Sequence, residues 1–310
     1  MKTSVVMATY NGEKYLEQQL DSILTQSVLP DELIVVDDGS TDNTRRILTE
    51  FSLKNREKIA INLIFRENNI GYIGNFIDGI GRATNDLIFL CDQDDLWHKE
   101  KIKNSINYFT INPQIVALHT NTSIINNKNE LVRKGSQEYT KTLEKVSLAK
   151  FIKKVNYPGM AMVFRKNKLY SRLSELYKIT KLPTHDWVIG FLACLLDGFY
   201  TSCDIYTYRR DTGENVALNL EKNRISSIER RIEGIELYSL YYNFLKECQD
   251  DFGFSILNLK VDKYLNNARN RIAYLREKNL VHAIMNINNL SYYPSLMAYF
   301  GDILLLIKAG

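Results

Sequence analysis

The stretch LIFLCDQDDLWHKEKI, Leu87 to Ile102, places three carboxylates within four residues, directly after an apolar run. The run Leu87–Cys91 is short, apolar and followed by polar residues, which is typical of a buried strand. Two like charges ~4 Å apart repel by about 4 kcal/mol at an effective dielectric constant near 20. The crowding of Asp92, Asp94 and Asp95 therefore predicts a positively charged partner at the end of this strand.

The first hundred or so residues alternate β-branched runs with amphipathic segments. Strands are predicted at SVVMA, LIVVD, INLIF and LIFLC, and helices at 14–26, 41–51, 74–83 and 98–109. This alternation indicates βαβ units in the α/β class, with a mostly parallel central sheet. The polar clusters TYNGE, DDGSTD, REN and DQDD each follow a strand. We expect them to meet at one edge of the sheet, where such folds bind ligands.

The C-terminal third has a different, helical pattern from about Asn219 onward. Its isoleucines recur at intervals of three and four, as in an amphipathic helix: Ile225, Ile228, Ile232 and Ile235. We predict one domain over residues 1–218 and a helical C-terminal region over 219–310. The apolar face of the tail LSYYPSLMAYFGDILLLIKAG favours packing on the first domain or on a second copy over contact with a membrane surface.

Composition limits the classes of function. The 310 residues are 45% hydrophobic and 25% charged, as in a folded globular protein. A net charge of +4 falls short of the dense basic surface of a nucleic-acid binder, so no nucleic acid partner is expected. The four cysteines form no CxxC pair, which favours a reducing cytoplasm. We expect neither a signal peptide nor a membrane-spanning segment, which needs ~20 apolar residues.

Other aspartate-rich motifs that bind metals match this sequence poorly. An EF-hand loop starting at Asp92 requires glycine and glutamate where Trp97 and Lys103 stand. A phosphohydrolase of the haloacid dehalogenase type also has Asp-x-Asp after a buried strand, but usually with threonine or valine at the position of Leu96. That alternative stays open. Neither a P-loop nor a GxGxxG fingerprint is present in the sequence.

The remaining interpretation is an Asp-x-Asp motif that holds a divalent cation against a diphosphate. Mg²⁺ and Mn²⁺ prefer oxygen ligands, and one or two carboxylates with substrate phosphates suffice for Mg²⁺. Asp94 is the predicted direct ligand, and Asp92 is predicted to face the ribose or a metal-bound water. Asp95 is predicted to support these ligands or to cap a helix that begins near Leu96.

Four motifs between Ser4 and Ile102 resemble, in order, the family 2 glycosyltransferases of the GT-A fold: VVMATYNGEKYLEQQLDSILTQS, ELIVVDDGSTDNT, ENNIGYIGNF and FLCDQDDLWHKEKI. The last is similar to bacterial rhamnosyltransferases and related enzymes of surface-polysaccharide assembly, such as O-antigen and capsule. The resemblance implies an inverting transfer from a UDP- or dTDP-linked sugar, with rhamnose as one candidate. The implied cofactor is Mg²⁺ or Mn²⁺, and the implied acceptor is a polysaccharide or lipid-linked glycan. The implied location is the cytoplasm, with contact to the inner face of the cell membrane left open.

The resemblance also assigns residues to the nucleotide. Those in the loop after the first strand are Thr9, Tyr10, Asn11 and Glu13. Asp37 and Asp38 correspond to an acidic pair that accepts hydrogen bonds from a pyrimidine base. The loop after the third predicted strand, which we call the third loop, is in the motif ENNIGYIGNF. The resemblance places Asn68, Gly71 and Asn75 of this motif beside the nucleotide. Taken singly, such glycines and acids also occur as ordinary turn and cap residues.

A second constellation, LPTHDWVIGFLACLL, lies about 90 residues after the acidic motif. The resemblance makes Asp186 the general base, which takes the proton of the acceptor hydroxyl while the cation stabilises the departing diphosphate. The alternative is that Asp186 caps the helix and Trp187 anchors it. His185, Trp187 and Gly159 are placed on the acceptor side.

The segment YTYRRDTGENVA departs from the family pattern. Relatives commonly have a histidine here that ligates the metal, whereas this chain has Asp211 and Thr212 before Gly213. Either Asp211 or water would then complete the metal site. A non-catalytic sugar-nucleotide binding protein of the same fold also stays open, and Asp186 distinguishes it from an enzyme because a binder needs no base.

Overall fold

The computed structural model describes residues 1–212, 227–250 and 260–309. The chain divides into two compact units. We call Met1–Leu148 with Asn156–Thr212 the sheet unit, and Ala149–Val155 with Gly213–Gly310 the helical unit. The predicted boundary between residues 218 and 219 lies outside the described residues, so those domain limits stay a prediction.

The sheet unit contains ten strands among its described residues. They are β1 Thr3–Thr9, β2 Glu32–Asp37, β3 Ala60–Phe65, β4 Leu87–Cys91, β5 Leu96–Trp97, β6 Ala117–Ile125, β7 Leu131–Arg133, β8 Glu144–Lys145, β9 Met162–Arg165 and β10 Phe199–Arg210. The order is β3-β2-β1-β4-β9-β6-β10-β5, with β7 on β6 and β8 on β10. Strands β1 to β4 pair in parallel, as do β6 and β10, while β9 runs antiparallel between β4 and β6. The predicted mostly parallel α/β sheet is confirmed.

Helices connect the strands where the sequence predicts them. Those with residues in the sheet unit are α1 Leu16–Leu24, α2 Thr44–Asn55, α3 Tyr72–Arg82, α4 Lys101–Ile111, α5 Leu148–Phe151, α6 Lys166–Ile179 and α7 His185–Leu195. Val5 and Met7 pack in one core with Leu16 of α1. Val6 faces the other side of the sheet, where a Cβ added at Gly79 of α3 would lie 2.6 Å from its side chain. Strand β1 is therefore covered on both faces, which explains its continuous apolar run.

The ends of the parallel strands bring their loops to one edge of the sheet. Thr9 pairs with Asp37, Asp37 pairs with Phe65, and Met7 pairs with Cys91. The polar clusters after these strands therefore start side by side, as predicted.

The segment after the acidic motif differs from the prediction. Leu96 and Trp97 form β5, which pairs with Tyr208 and Thr207 of β10, and helix α4 begins only at Lys101. The expectation that Asp95 caps a helix near Leu96 is therefore wrong. Long-range strand pairing outweighs the local helical pattern here.

The helical unit contains α8 Ile228–Asp250, α9 Val261–Arg276, α10 Leu280–Met285 and α11 Leu296–Ala309, with a 3₁₀ segment at Asn286–Tyr292. Ile232 and Ile235 pack in its core with Leu275 and Leu306, and Ile228 lies partly buried against them. The predicted helical C-terminal region is confirmed over these residues, whereas Ile225 lies outside the described part of the chain. No helix in the described ranges has the length and apolar character needed to cross a membrane.

Candidate active site

The loop after β1 is fastened to the loop after β2. Asn11 has a left-handed backbone, with φ of 47°, which asparagine adopts more readily than most residues. Its Oδ1 accepts from the Thr41 N–H at 2.9 Å, and its own N–H donates to Ser40 Oγ at 2.8 Å. Glu13 Oε2 accepts from the Asn43 N–H at 3.0 Å. Asn11 and Glu13 therefore hold the two loops together, and their nucleotide contacts stay predictions.

Asp37 is fully buried at the end of β2. Its carboxylate accepts from Thr9 Oγ1 at 3.1 Å, from Arg45 Nε at 2.9 Å and from the Ser40 hydroxyl. These partners tie β1, β2 and α2 together, which is a structural role. Acceptance of a hydrogen bond from a base by Asp37 or Thr9 stays a prediction.

Asp38 positions the third loop. Its two carboxylate oxygens accept from the N–H groups of Ile70 and Gly71, each at 2.9 Å. Gly71 has φ of 84°, and open space surrounds the position of a Cβ there. The glycine is thus required by its backbone conformation rather than by crowding. Each Asp38 oxygen has a further lone pair that could accept from a ligand.

The two predicted asparagines of the third motif differ in exposure. Asn75 is buried in α3, where its Nδ2 donates to the Val36 carbonyl at 2.6 Å and its Oδ1 accepts from Arg66 Nε at 3.0 Å. It pins α3 to β2. Asn68 is exposed in the loop before α3. A direct nucleotide contact is a prediction for both residues, and only Asn68 has an accessible side chain in this structure.

Gln93, the middle residue of Asp-x-Asp, forms a clasp to the first loop that the sequence did not reveal. Its Oε1 accepts from the Tyr10 N–H at 2.8 Å, and its Nε2 donates to the Tyr10 carbonyl at 3.0 Å. A Cβ added at Gly12 would lie 2.3 Å from Gln93 Oε1. The absence of a side chain at Gly12 therefore makes room for the clasp, and the Tyr10 ring stays exposed.

The three acids of the motif are crowded, as the sequence predicts; Asp95 is buried, and Asp92 and Asp94 are half-buried. Burial and the charge of Asp94 raise the pKa of Asp92 to about 7. Burial also raises the pKa of Asp94, and burial with both neighbours raises the pKa of Asp95 well above its usual range. Asp95 Oδ2 is buried with no hydrogen-bond partner among the described residues. Desolvation and mutual repulsion therefore make the charged forms of these acids unfavourable.

Three basic residues supply part of the expected positive charge. Arg209 lowers the pKa of all three acids, although their pKa values remain raised. Arg210 is buried, and its Nε donates to the Asp94 carbonyl at 2.9 Å while its N–H donates to Asp95 Oδ1 at 3.0 Å. Buried Lys101 contributes a third cation, whose pKa burial lowers to about 7.

Lys101 also joins the acidic loop to the predicted acceptor side. Its Nζ donates to the Met160 carbonyl at 2.6 Å and to Thr207 Oγ1 at 2.8 Å. The same Nζ lies 3.9 Å from the centroid of the Trp97 ring. The sequence around Lys101 does not distinguish a buried lysine from an exposed one, so this role could not be predicted from it.

The acidic cluster fits a divalent cation that shares its ligands with a substrate. Carboxylate oxygens are suitable for Mg²⁺ or Mn²⁺, and the buried Asp95 Oδ2, which has no hydrogen-bond partner among the described residues, is left to accept from a ligand or a bound water. The described residues contain no group of three or more His, Cys, Asp or Glu side chains that could hold a metal. Phosphate oxygens and water would therefore complete the coordination. A part for Asp211 in it stays a prediction.

Asp186 lies in the first turn of α7, where its carboxylate is half-buried. The N-cap of this helix is Thr184, whose Oγ1 accepts from the Trp187 N–H at 3.4 Å. The alternative that Asp186 is the cap residue is therefore wrong, although its Oδ1 also accepts from that N–H at 2.8 Å. Trp187 is fully buried and stacks on Phe191, so it anchors the helix and has no surface open to an acceptor.

Asp186 and the Asp-x-Asp motif lie close enough to act on each other. The charge of Asp186 contributes to the raised pKa of Asp92, and it also raises the pKa of Tyr72. Gly159 lies against the same helix, since a Cβ there would be 3.3 Å from Asp186 Cβ and 3.4 Å from His185 Nε2. The two constellations that the sequence singled out therefore belong to one site.

His185 and Tyr72 form an aromatic wall beside Asp186. The buried His185 ring stacks on Phe76 with centroids 4.2 Å apart, and burial lowers its pKa although Asp186 opposes this. Neither ring nitrogen has a hydrogen-bond partner among the described residues. Tyr72 contacts the edge of His185 at 5.9 Å and is 55% exposed. The sequence analysis missed Tyr72, whose one signal was an aromatic residue directly after the loop glycine.

The family model for Glycosyl transferase family 2 matches residues 4–170, which is more than half of the chain. The chain belongs to this family. The match covers β1 to β4, the acidic motif and the Gly159 loop, and it decides against the phosphohydrolase alternative. The protein is thus a glycosyltransferase that uses a nucleotide sugar.

Relatives of this family 2 glycosyltransferase come from several bacteria. An uncharacterized glycosyltransferase of Nostoc sp. is 26% identical over 78% of this chain and 75% of its own length. The dTDP-rhamnosyl transferase RfbG of Shigella flexneri is 42% identical, but over only 34% of this chain and 37% of its own length. TuaG of Bacillus subtilis, a putative teichuronic acid biosynthesis glycosyltransferase, is 35% identical over 34% of this chain and 40% of its own length.

Solved structures share the fold of this glycosyltransferase. S. aureus TarS 1–349 in complex with UDP has a TM-score of 0.57 at 19% identity, covering 100% of this chain and 92% of TarS 1–349. The mannosyltransferase PcManGT of Pyrobaculum calidifontis, in complex with GDP-Man and Mn²⁺, has a TM-score of 0.51 at 14% identity, covering 99% of this chain and 87% of its own. At these identities the likeness shows the fold alone, and it confirms the predicted GT-A architecture.

Proposed function

We propose that this protein is an inverting, metal-dependent glycosyltransferase that moves a sugar from a pyrimidine diphosphate donor to a hydroxyl of a glycan acceptor. The observation that supports this most strongly is that Asp186 lies beside the strand that ends at the acidic motif: a Cβ at Gly159 would be 3.3 Å from Asp186 Cβ and 3.4 Å from Leu90 Cδ1. A binding protein without catalysis has no need for a carboxylate there. Transfer by direct displacement needs both a base for the acceptor and stabilisation of the leaving diphosphate.

Asp186 is the proposed general base. Its Oδ1 is held by the Trp187 N–H, and its second oxygen is left to accept a proton. The acceptor oxygen loses its proton to this carboxylate as it attacks the anomeric carbon. The bond from that carbon to the diphosphate oxygen breaks at the same time, so the anomeric configuration inverts.

The acids of Asp-x-Asp are the proposed cation ligands. Asp94 is the direct ligand, Asp92 lies beside it toward the ribose or a bound water, and Asp211 or water completes the site. When bound, Mg²⁺ or Mn²⁺ neutralises the charge that develops on the departing diphosphate. The presence of Mn²⁺ in the mannosyltransferase structure supports this choice of ion.

The proposed donor is a UDP- or dTDP-linked sugar. UDP is bound in the TarS structure, and RfbG is named as a dTDP-rhamnosyl transferase, which makes rhamnose a candidate. We expect Asp38 to accept from the base while it orders the third loop, so Asp38→Ala should weaken nucleotide binding. Calorimetric titration with UDP, dTDP, GDP and ADP tests this proposal. Equal affinity for all four nucleotides would contradict a pyrimidine-specific pocket.

The proposed acceptor is a growing surface polysaccharide or a lipid-linked glycan, as in O-antigen or capsule assembly. The similarity to TuaG, a putative teichuronic acid biosynthesis glycosyltransferase, supports this class of acceptor. The proposed location of the enzyme is the cytoplasm.

Asp186→Asn tests the proposal. Removal of a general base typically lowers the rate by about 10²- to 10⁴-fold, whereas the amide keeps the size of the side chain and can still accept from the Trp187 N–H. We expect unchanged donor affinity and melting temperature, with transfer reduced by this factor. Asp21→Asn, at an exposed position of α1, is the matched control and should behave as wild type. Transfer by Asp186→Asn within a few-fold of wild type would refute the assignment and direct attention to Asp211.

A further inference from the structure

The helical unit carries a concentrated set of exposed apolar side chains near its C-terminal end. We call this set the apolar face: Val281, Ile284, Met285, Ile287, Leu296, Met297, Phe300, Leu304 and Ile307. Nine exposed large apolar side chains thus occur within 27 residues, whereas in the described sheet unit they are scattered along the chain. Contiguous exposed apolar surface marks an interaction site.

Helix α11 has one buried side and a separate exposed side that is apolar. Its inner side is buried in the helical unit through Tyr299, Asp302 and Leu306. Its outer residues Leu296, Phe300, Leu304 and Ile307 are spaced by three or four positions and so share one side of the helix. A helix of a soluble protein normally places charged and polar residues on its outer side. The outer side of α11 departs from this rule over its whole length.

Helix α10 extends the same surface. The Tyr299 hydroxyl donates to the Ile284 carbonyl at 3.0 Å, which holds α11 against α10. Ala283 of α10 is buried in the core that also contains Leu306. The side chains of Val281 and Met285 are 65% and 64% exposed. Both helices therefore bury one side and expose an apolar one.

The charged residues around the apolar face indicate which kind of partner it binds. From Asn279 to Ala309 the charged residues are Asp302 and Lys308, with His282 neutral at pH 7. Asp302 is buried in ion pairs with Arg231 and Arg271, so this stretch presents no carboxylate to solvent. The fixed charge that residues 279–309 present to solvent is therefore that of Lys308, which is exposed near the end of α11. An apolar surface that carries a lysine and no exposed carboxylate is complementary to anionic lipid headgroups.

The dimensions fit a helix that lies on a bilayer. Helix α11 has 14 residues, which at 1.5 Å per residue is about 21 Å, against a hydrocarbon core of about 30 Å. We propose that the apolar face docks on an anionic membrane surface, with α10 and α11 lying in the interfacial plane. Contact with a second copy would also bury apolar side chains, but it would not require a surface without carboxylates.

Flotation of the purified full chain with vesicles tests the proposal. Vesicles of phosphatidylcholine with about 30% phosphatidylglycerol should retain the wild-type protein, and pure phosphatidylcholine should retain less of it. The triple variant Met297→Ser, Phe300→Ser, Leu304→Ser should bind the anionic vesicles at least about tenfold more weakly, because interfacial binding scales with buried apolar area. The control Leu53→Ser, Ile111→Ser changes side chains that are 64% and 67% exposed in the sheet unit, and it should bind as wild type.

Absence of vesicle binding by the wild type, or equal binding by the triple variant, would overturn the proposal. So would a concentration-dependent dimer that the triple variant abolishes without any lipid binding, because that result assigns the face to a second copy. If the triple variant melts early, Met297→Ser alone serves in its place, since this side chain is 78% exposed. The assay measures lipid binding without sugar transfer, so its failure leaves the proposed enzymatic function untouched.

Discussion

In the helical unit the buried Asp302 carboxylate accepts from Arg271 Nε at 2.8 Å, from Arg231 Nε at 2.5 Å and from the Tyr274 hydroxyl at 2.6 Å. In the sheet unit Asp92 is only half-buried, and the charge that raises its pKa most is that of another carboxylate, Asp94. Burial alone would raise the pKa of Asp302, yet the two arginines outweigh it and lower that pKa. Burial and Asp94 instead raise the pKa of Asp92 to about 7.

The difference separates a structural acid from a functional one. Asp302 has its positive partners inside the protein, so its charge is stable in the folded chain. Arg209, Arg210 and Lys101 offset the crowding of Asp92, Asp94 and Asp95 only in part, since the pKa values of all three acids stay raised, and a cation that arrives with the substrate would stabilise their charged forms. The four predictions that follow test this contrast, from the largest expected effect to the smallest.

Asp94→Asn should produce the largest loss of activity. Removing a charged ligand of the cation forfeits several kcal/mol of stabilisation of the leaving group, so we expect donor turnover to fall about 10³-fold or more. The melting temperature should not fall, because the variant relieves crowding in the acidic cluster. Turnover and a thermal melt are measured side by side, with Asp21→Asn as the control. A variant with both wild-type turnover and a wild-type melt would show that Asp94 is not a ligand.

Asp302→Asn should damage stability instead of catalysis. Breaking a buried ion pair by removing one partner typically costs about 3–5 kcal/mol, since Arg271 and Arg231 would remain buried without a counter-charge. Urea denaturation measures the free energy of unfolding of the helical unit. A loss below about 1 kcal/mol would contradict the structural role assigned to Asp302.

The two acids should give opposite responses to pH in ligand-free protein with EDTA. The folded-state pKa of Asp92 is raised, so the folded chain binds more protons between about pH 4 and 7 and its stability falls as pH rises through that window. Asp92→Asn should therefore gain stability relative to wild type between pH 5 and 7, by about 1.4 kcal/mol per pH unit at most. The lowered pKa of Asp302 acts the other way. Its contribution is present above about pH 4 and is lost as the pH falls below that value. Unfolding curves of wild type, Asp92→Asn and Asp302→Asn, measured from about pH 2 to about pH 7, give the slope of stability against pH for each protein. Equal slopes for all three proteins over the whole range would contradict both assignments.

The Gln93 clasp should give the smallest effect. Gln93→Ala removes two hydrogen bonds to Tyr10, and we expect about a five- to tenfold loss of nucleotide affinity because the first loop is no longer held to the acidic loop. Gly12→Ala should do the same by displacing the Gln93 side chain. Gly234→Ala, with open space at its Cβ position, is the control for the glycine change. Wild-type affinity in both clasp variants would show that the loops are ordered by other contacts.

The sequence predicted the strands β1 to β4 and the helices between them, because both depend on local periodicity. The gathering of polar loops at one edge then followed from a parallel sheet. The sequence did not predict β5, which forms by pairing with β10 more than a hundred residues away. The same limit applies to Arg210, which reaches Asp94 and Asp95 only in the folded chain. Contacts between residues so far apart have no local signature.

The site residues show the same division. The motif identified Asp92 and Asp94, and the family resemblance identified Asp186, but their mutual influence required the folded structure. The Thr184 cap could have been found from the sequence, since a threonine precedes the apolar segment by a few residues. Tyr72 could not, because a single aromatic residue after a turn is most often part of the core.

Donor turnover by the wild-type protein in EDTA tests the central claim most directly. The claim is that the under-neutralised acids hold a divalent cation for transfer of the sugar. We expect EDTA to abolish turnover, and Mn²⁺ or Mg²⁺ added in excess to restore it, while Asp94→Asn recovers little at the same cation concentration. Full turnover in EDTA would contradict the claim, since the acids would then carry out their role without a cation.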